Sequence, residues 1–341
     1  MTKRRRSLKR SFGKESENMS KFAENSLGII LIFFLLKNGY KYFKLPFIKQ
    51  FSNLTDFDDN YNCGDVLGEG VFGEVFKATD KTTKDEIIAK RVSTTNFYHY
   101  FLLSSEIRIL EKLRKEGCIY TTCYKKYFFG KDSIIMIFDS NSDTNLFTFI
   151  NKFSLPIPPS FPLQLFTKIP EIPEIDKNDI IFNGLINGLC FIHNLGIAHN
   201  DIKPENIIIN SETFEVKYID FGISCDNGLL DFYICDLQKA GTPYYASPEM
   251  RSRTIASPKF SKSFGMKSDV WSLGIVLYSV IYGIEKDRGK DLVTKFEPKF
   301  AKYNGVIEKM LVIDSSERIS MKNLKTHWER FSFTVSKKIK V

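Results

Sequence analysis

No apolar run in this 341-residue chain is long enough to cross a bilayer. The nearest to one, LGIILIFFLL at 27–36, would rise about 15 Å as a helix, half of a hydrocarbon layer roughly 30 Å thick. Packing of this stretch on the folded body is the favoured reading. The alternative is a helix lying on a membrane surface, because Lys37, Lys41 and Lys44 follow with aromatics between them. A cleavable leader is also disfavoured: the polar lead-in is long, and KNGYKYFK after the apolar run offers no small-residue cleavage site. The six cysteines, at 63, 118, 123, 190, 225 and 235, form no CxxC pair and no regular spacing. That argues against a zinc site or a disulfide framework and predicts reduced, packed thiols in an intracellular protein, cytoplasmic or nuclear. Serine and threonine are absent from 225–241, CDNGLLDFYICDLQKAG, where Tyr233 is the one hydroxyl-bearing side chain.

Charge is unevenly spread. The formal net charge is +9, but residues 1–17 hold seven basic side chains against two acidic ones and 337–341 hold three more, so the body between is close to neutral. The basicity therefore belongs to the tails, and no specific nucleic-acid site is expected in the body. KRRRSLKR near the N-terminus reads as a solvated tail, a nuclear address, or a contact with an acidic partner or an anionic membrane surface.

A composition of 43% hydrophobic and 26% charged residues is that of a globular protein. Residues 1–60 form a basic and apolar N-terminal extension that ends in the acidic TDFDDN, and the domain proper is expected at 61–331. From 61 to about 140, short β-type runs (DVLGEG, GEVFKAT, EIIAKRV, SIIMIFD) alternate with polar turns, which predicts a mostly antiparallel sheet. One helix interrupts it, with Ile107, Leu110 and Leu113 on one face behind the cap candidates Ser104 and Ser105. After 150, helical periods dominate: 178–195 places Ile181, Leu185, Leu189 and Ile192 on one face and stops at Gly196, and DVWSLGIVLYSVIYG at 269–283 is apolar nearly all round. The proline-rich 152–175 cannot be one helix and reads as a surface loop. Residues 332–341 read as a basic tail. The fold class expected is α+β and bilobal, with a small antiparallel β-rich lobe at 61–139 and a larger, mainly helical lobe at 140–331. Ligands commonly bind in the cleft between two such lobes.

LGEGVFGEV spaces Gly68, Gly70 and Gly73 as G-x-G-x-x-G. A dinucleotide-binding turn would need a helix straight after the third glycine. Here EVFKATDKTTKDEIIAK reads strand, polar turn, strand, so the glycines predict a hairpin whose bare backbone can approach phosphates and donate N–H groups. Lys90 follows on the paired strand in the apolar run IIAKRV, where an ammonium needs a partner or an exit to solvent. Glu106, early on the single helix of this lobe, is the expected partner; taken alone, Lys90 reads equally well as a surface lysine on an edge strand.

HNDIKPENIIINSETFEVKYIDFG, 199–222, sets polar groups on both sides of a hairpin. Ile207–Ile209 and Val216–Ile219 flank the turn-rich NSET, so the two strand ends return to one place and Asp220 comes back beside Asp201 and Asn206. Two carboxylates, a carboxamide and Lys203 then converge. Such a set offers hard oxygen ligands for Mg²⁺, a carboxylate to take a hydroxyl proton, and a cation for a phosphate in transfer.

From about 61 to 331 these residues resemble the protein kinase family, serine/threonine branch. Gly68, Gly70, Gly73 and Val75 look like its glycine-rich loop, Lys90 its strand lysine and Glu106 that lysine's helix partner. HND with Lys203 and Asn206 resembles the catalytic loop, DFG at 220–222 the metal motif, SPE at 247–249 the family's A-P-E, and DVWSLG the buried helix beneath it, with Arg318 the partner of Glu249. The resemblance implies ATP and Mg²⁺ as cofactors and protein substrates as partners. It implies Asp201 as catalytic base assisted by Lys203, Lys90 and Glu106, with Asn206 and Asp220 as metal ligands. Nucleotide contacts are implied for Leu67, Gly68, Glu69, Gly70, Val71, Phe72, Gly73, Glu74 and Val75 of the loop. Further nucleotide contacts are implied for Ile88, Lys90, Asp139 and Ile208, with Phe138 and Asp139 opening the hinge. Lys203 together with GTPYYASPE points to serine/threonine specificity, Thr242 contacting both Asp201 and Lys203.

Two departures bear on regulation. Asn200 stands where the family usually has an arginine able to grip a phosphorylated activation loop, and 225–241 lacks serine and threonine. Together they predict activity that does not wait for Ser/Thr phosphorylation in that loop. The alternative is a catalytically impaired, nucleotide-binding pseudokinase scaffold.

Overall fold

The structure is a computed structural model that describes residues 54–70, 73–94, 97–130, 132–140, 144–153, 177–226, 241–252, 262–284 and 296–338. The extension up to 53, Val71 and Phe72, most of the proline-rich insertion, residues 227–240 and the last three residues lie outside these.

Five strands build the first lobe: β1 (Tyr61–Gly70), β2 (Gly73–Asp80), β3 (Glu86–Ser93), β4 (Tyr124–Phe129) and β5 (Ser133–Asp139), all antiparallel in the order β1-β2-β3-β5-β4. Period-two alternation gives the sheet two faces. On one, Phe76, Ile87, Ala89, Phe128, Ile135 and Ile137 form a closed cluster. A short helix α1 (Leu54–Asn60) covers it, inserting Phe57, whose ring lies 5.2 Å from Tyr61 and 5.4 Å from Phe128. Part of the acidic TDFDDN is thus packed on the sheet ahead of Tyr61, with one phenylalanine among polar neighbours anchoring a turn of helix. On the other face, Val92, Ile134 and Met136 pack with Ile107, Leu110 and Leu113 of helix α2 (Phe97–Lys115) in a core that continues into the second lobe. The helix starts well before Ser104 and Ser105, which are buried inside it rather than capping it. FYHYFLL ahead of them has neither glycine nor proline to stop the helix.

The cysteine expectation also needs correction. Cys118 and Cys123 are joined in a disulfide across the turn between α2 and β4, with Cα atoms 5.3 Å apart. That separation lies in the bridging range, and a five-residue spacing around a turn achieves it without any CxxC pair. Cys225 is disulfide-bonded as well, while Cys63 and Cys190 are free thiols. Among the described residues no helix is long and apolar enough to cross a membrane.

The second lobe is mainly helical. Strand β6 (Thr144–Asn145) leads into α3 (Leu146–Phe153), followed by α4 (Lys177–Asn194), β7 (Ile207–Ile209), β8 (Val216–Tyr218), α5 (Pro248–Arg251), α6 (Lys262–Tyr282), α7 (Ala301–Met310) and α8 (Met321–Lys338). Strands β6, β7 and β8 form a second antiparallel sheet. Helix α4 ends as expected, with Gly196 at φ +79. Helix α8 runs on to Lys338 past the boundary expected near 331, since RFSFTVSKK contains no breaker.

Two glycines on α4 seat the β7–β8 hairpin. A Cβ on Gly184 would lie 2.7 Å from the Val216 side chain, and one on Gly188 2.8 Å from the Tyr218 ring. The Tyr218 hydroxyl donates to the Leu185 carbonyl at 2.8 Å, which fixes the hairpin along the helix. A buried ion pair braces the lower half of the lobe. Arg318, 1% exposed, donates from Nη1 to Glu249 Oε1 at 2.6 Å and from Nη2 to Oε2 at 3.0 Å. Its remaining N–H groups reach the carbonyls of Val312, Ile313 and Lys267, and its guanidinium lies 5.1 Å from the Trp271 ring centre.

Because every donor of this guanidinium is satisfied, removing its carboxylate leaves a buried charge uncompensated, a change that costs about 3–5 kcal/mol. Glu249→Ala is therefore expected to lower unfolding stability by that amount in urea titration with an unchanged m-value. A loss below about 1 kcal/mol would show that water replaces the carboxylate.

Candidate active site

Three strands of chemistry meet at the junction of the two sheets. The first is the β1–β2 hairpin. Gly70 pairs with Gly73, and Gly73 has φ +145, with an imagined Cβ only 1.9 Å from the Arg91 carbonyl oxygen on β3. Glycine is obligatory there, because any side chain would collide with backbone. At Gly68, by contrast, no protein atom lies within 4 Å of the added Cβ. Leu67 is exposed, as is Glu69, and Glu74 is part-buried and paired with Arg91 at 3.2 Å. Val71 and Phe72 are outside the described residues.

The second is the cluster around Lys90. Register sets Val75 opposite Lys90, and Ile88 shares Lys90's face, away from the buried Ile87 and Ala89. Ile208 is likewise half-buried between the buried Ile207 and Ile209. Lys90 Nζ donates to Glu106 Oε1 at 2.6 Å and to Asp220 Oδ1 at 2.9 Å. Glu106 is 5% exposed and Asp220 42%. Burial works against the ammonium, but the two carboxylates outweigh it and hold the Lys90 pKa above its ordinary value. Lys90's charge pulls the Asp220 carboxyl down to about 2. Burial pushes Glu106 up against the pull of Lys90. Gly222 closes the back of the cluster: a Cβ there would sit 3.3 Å from Asp220 Oδ1 and 3.6 Å from Lys90 Nζ. At the hinge, Phe138 pairs with Ile88, Asp139 N–H donates to the Cys123 carbonyl at 3.0 Å, and the Asp139 carboxylate pairs with Lys125 at 2.7 Å.

The third is the loop between α4 and β7. Asp201 Oδ1 accepts from the Thr242 N–H at 3.1 Å and hydroxyl at 2.9 Å, while Oδ2 accepts from Asn206 Nδ2 at 2.8 Å and lies 2.7 Å from Lys203 Nζ. Lys203 also donates to Thr242 Oγ1 at 3.0 Å. With its carboxamide nitrogen turned to Asp201, Asn206 has its oxygen as the ligand-capable atom. Ile219 N–H donates to the Asn206 carbonyl at 3.0 Å, which places Asp220 next to Asn206. Asp220 itself has φ +63, in the left-handed region that aspartate tolerates. The hairpin folded from the sequence thus forms, and it brings Asp201, Lys203, Asn206 and Asp220 together with Lys90 and Glu106.

One organising residue escaped the sequence reading. Asp269, 1% exposed at the head of the apolar part of α6, accepts from the backbone N–H of His199 at 2.7 Å and of Asn200 at 2.8 Å, and pairs with His193 Nε2 at 2.9 Å. Its signal was a lone carboxylate opening DVWSLG, which is intelligible only once a loop is docked on it. His199 in turn accepts the Asp201 N–H on Nδ1 at 3.3 Å and donates from Nε2 to the Ile219 carbonyl at 3.1 Å. The ring therefore spans the two limbs of the hairpin.

The site's oxygens fit a hard divalent cation. One carboxylate and one carboxamide are too few to enclose it, but they suit Mg²⁺, which keeps waters and shares substrate phosphates.

Comparison with known proteins agrees with this geometry. A protein kinase domain model matches residues 61–328. The chain is 28% identical over 318 residues to calcium-dependent protein kinase 4 of Plasmodium berghei (strain Anka), covering 87% of this chain and 54% of that protein. It is 27% identical over 304 residues to CBL-interacting serine/threonine-protein kinase 16 of Arabidopsis thaliana, covering 82% and 58%. To a serine/threonine-protein kinase of Drosophila melanogaster it is 27% identical over 238 residues, covering 67% of this chain and 27% of that one. The chain thus spans from about a quarter to just over half the length of these relatives.

Asp220's lowered pKa has a definite sign. Its pairing stabilises the fold fully above the unfolded carboxyl value of 3.8, and that contribution is lost as pH falls through about 2. Acid unfolding of the wild type should therefore carry an extra loss of stability below about pH 4 that Asp220→Asn lacks. Parallel stability curves for the two proteins between pH 5 and about 2 would contradict the Lys90–Asp220 pairing.

Proposed function

Because the chain belongs to the protein kinase domain family, we propose that it is an ATP-dependent serine/threonine protein kinase, transferring the γ-phosphoryl group of Mg-ATP to protein hydroxyls. The observation that carries this reading is the coordination of Asp201. One oxygen is held by Thr242 and the other by Asn206 and Lys203, so the carboxylate is fixed in orientation with a cation alongside it. Asp201 is the group that accepts the proton of the incoming serine or threonine hydroxyl as its oxygen bonds to the γ-phosphorus and the bond to the ADP oxygen breaks. Lys203 sits where negative charge builds on the phosphoryl oxygens, and Thr242 ties the substrate-side loop to the base.

Asn206 and Asp220 are the residues that would hold Mg²⁺, which when bound neutralises charge on the β and γ phosphates. Lys90, oriented by Glu106, is placed to receive the α and β phosphates. The open space over Gly68 leaves room for phosphates to approach the hairpin backbone, and Val75, Ile88 and Ile208 offer apolar surface for adenine. Asp139 opens the hinge beside it.

Activity independent of activation-loop Ser/Thr phosphorylation belongs to the same reading. Asn200 adopts φ +67, a left-handed conformation that asparagine accepts more readily than most residues. Its Nδ2 donates to the Ile223 carbonyl at 3.1 Å, so the position usually given to a phosphate-gripping arginine is spent on holding backbone directly.

Phosphate incorporation from labelled ATP into a generic basic protein is expected from the purified chain, and Asp201→Asn should lower kcat by about 10²–10⁴-fold while nucleotide still binds. Nucleotide binding with no transfer by the wild type would instead identify a scaffold. Treatment with a Ser/Thr phosphatase should leave the rate unchanged within about twofold. A rate that collapses on that treatment and returns when Ser224, Thr242 or Ser247 is rephosphorylated would overturn the independence.

A further inference from the structure

Helix α2 is gripped from two sides. Glu106 points to Lys90, and Arg108, two residues on and therefore about 200° around the helix, points elsewhere. Arg108 Nη2 lies 3.6 Å from Asp226 Oδ1 and donates to Ser105 Oγ at 3.2 Å. Asp226 is six residues beyond Asp220, and four of the five residues between them are pinned to the catalytic loop. Phe221 packs on the His199 ring at 4.8 Å. Asn200 holds the Ile223 carbonyl and, at 3.0 Å, the Cys225 sulfur. Ser224 Oγ donates to the His199 carbonyl at 3.0 Å, and Ala198 and Cys225 exchange two backbone hydrogen bonds of 2.8 Å. Asp226 is 10% exposed, so its charge is shielded from bulk solvent more than Arg108's.

We propose that Asp226 is a positioning residue for the phosphoryl transfer: its carboxylate pairs with Arg108 and keeps α2 docked so that Glu106 stays on Lys90, a task for which a permanent side-chain charge replaces an added phosphate. This rests on the kinase reading of the same site. The physical link is short. The catalytic loop fixes 221–225, that stretch fixes Asp226, Asp226 fixes Arg108, and the rigid helix carries the constraint to Glu106. A carboxylate needs no second enzyme to install it, in keeping with a stretch at 225–241 that has no serine or threonine to modify.

The test is a charge exchange in the full chain. Arg108→Asp, Asp226→Arg and the double exchange are assayed for kcat, KM for ATP and melting temperature. A pair this exposed on the arginine side is expected to shift the docked population several-fold, so each single reversal should lower kcat by about three- to tenfold. The double exchange should recover kcat to within about twofold of wild type. In parallel, Asp226→Asn should lose and Asp226→Glu should keep most of the rate, which reads the same point should a reversal fail to fold. Single variants as fast as wild type, or a double exchange no faster than the slower single, would overturn the proposal. An inactive wild type in every phosphorylation state would count against the kinase reading instead.

Discussion

Lys90 stands between two carboxylates, Glu106 from helix α2 and Asp220 from the far side of the cleft, that would repel one another without it. The ammonium therefore fixes the relative position of three elements at once: β3 that carries it, α2, and the turn after β8. Both bonds are charge-assisted, and the Lys90 ammonium is itself largely shielded from solvent, where a cation lacking partners would be expelled or neutralised. The arrangement is also provisional by design. Asp220 is the most open of the three, so on the kinase reading proposed above a nucleotide's phosphates would take over Lys90 and free that carboxylate for a cation.

A second carboxylate does the same service for the backbone. Asp269 anchors the N–H groups of His199 and Asn200, His199 bridges Asp201 to Ile219, and Ile219 bonds Asn206. The backbone N–H groups of His199, Asn200, Asp201 and Ile219 are each taken up within this chain, which stiffens the loop where chemistry needs it. The glycines at 184 and 188 serve the same end from outside the site. They let β8 lie against α4, and that contact sets where Asp220 emerges.

How much of this could be read from the residues depended on the range of the interactions. The hairpin at 207–218 was legible because a turn and two isoleucine-rich or valine-rich runs determine it locally, and the convergence of Asp201, Asn206 and Asp220 followed from it. The stop of α4 at Gly196 was legible for the same reason. The start of α2 was misplaced because two serines look like caps wherever they fall, and only packing shows that these are buried mid-helix. Phe57's role depended on rings 19 and 71 residues away, at Phe76 and Phe128, and the Cys118–Cys123 bridge on the shape of a turn. Asp269 and the Arg108–Asp226 pair were invisible for a related reason: a charged residue announces a need for a partner, not which partner the fold supplies.

The central claim is that Asp220 and Asn206 face one cation beneath phosphates held by Lys90. A crystal structure with Mn²⁺ and a non-hydrolysable ATP analogue tests it most directly, since manganese is located by its anomalous signal. The account predicts a peak bonded to an Asp220 carboxylate oxygen and the Asn206 carboxamide oxygen, with Lys90 Nζ on the α and β phosphates. A manganese peak away from both side chains, or a nucleotide seated with its phosphates remote from Lys90, would contradict it.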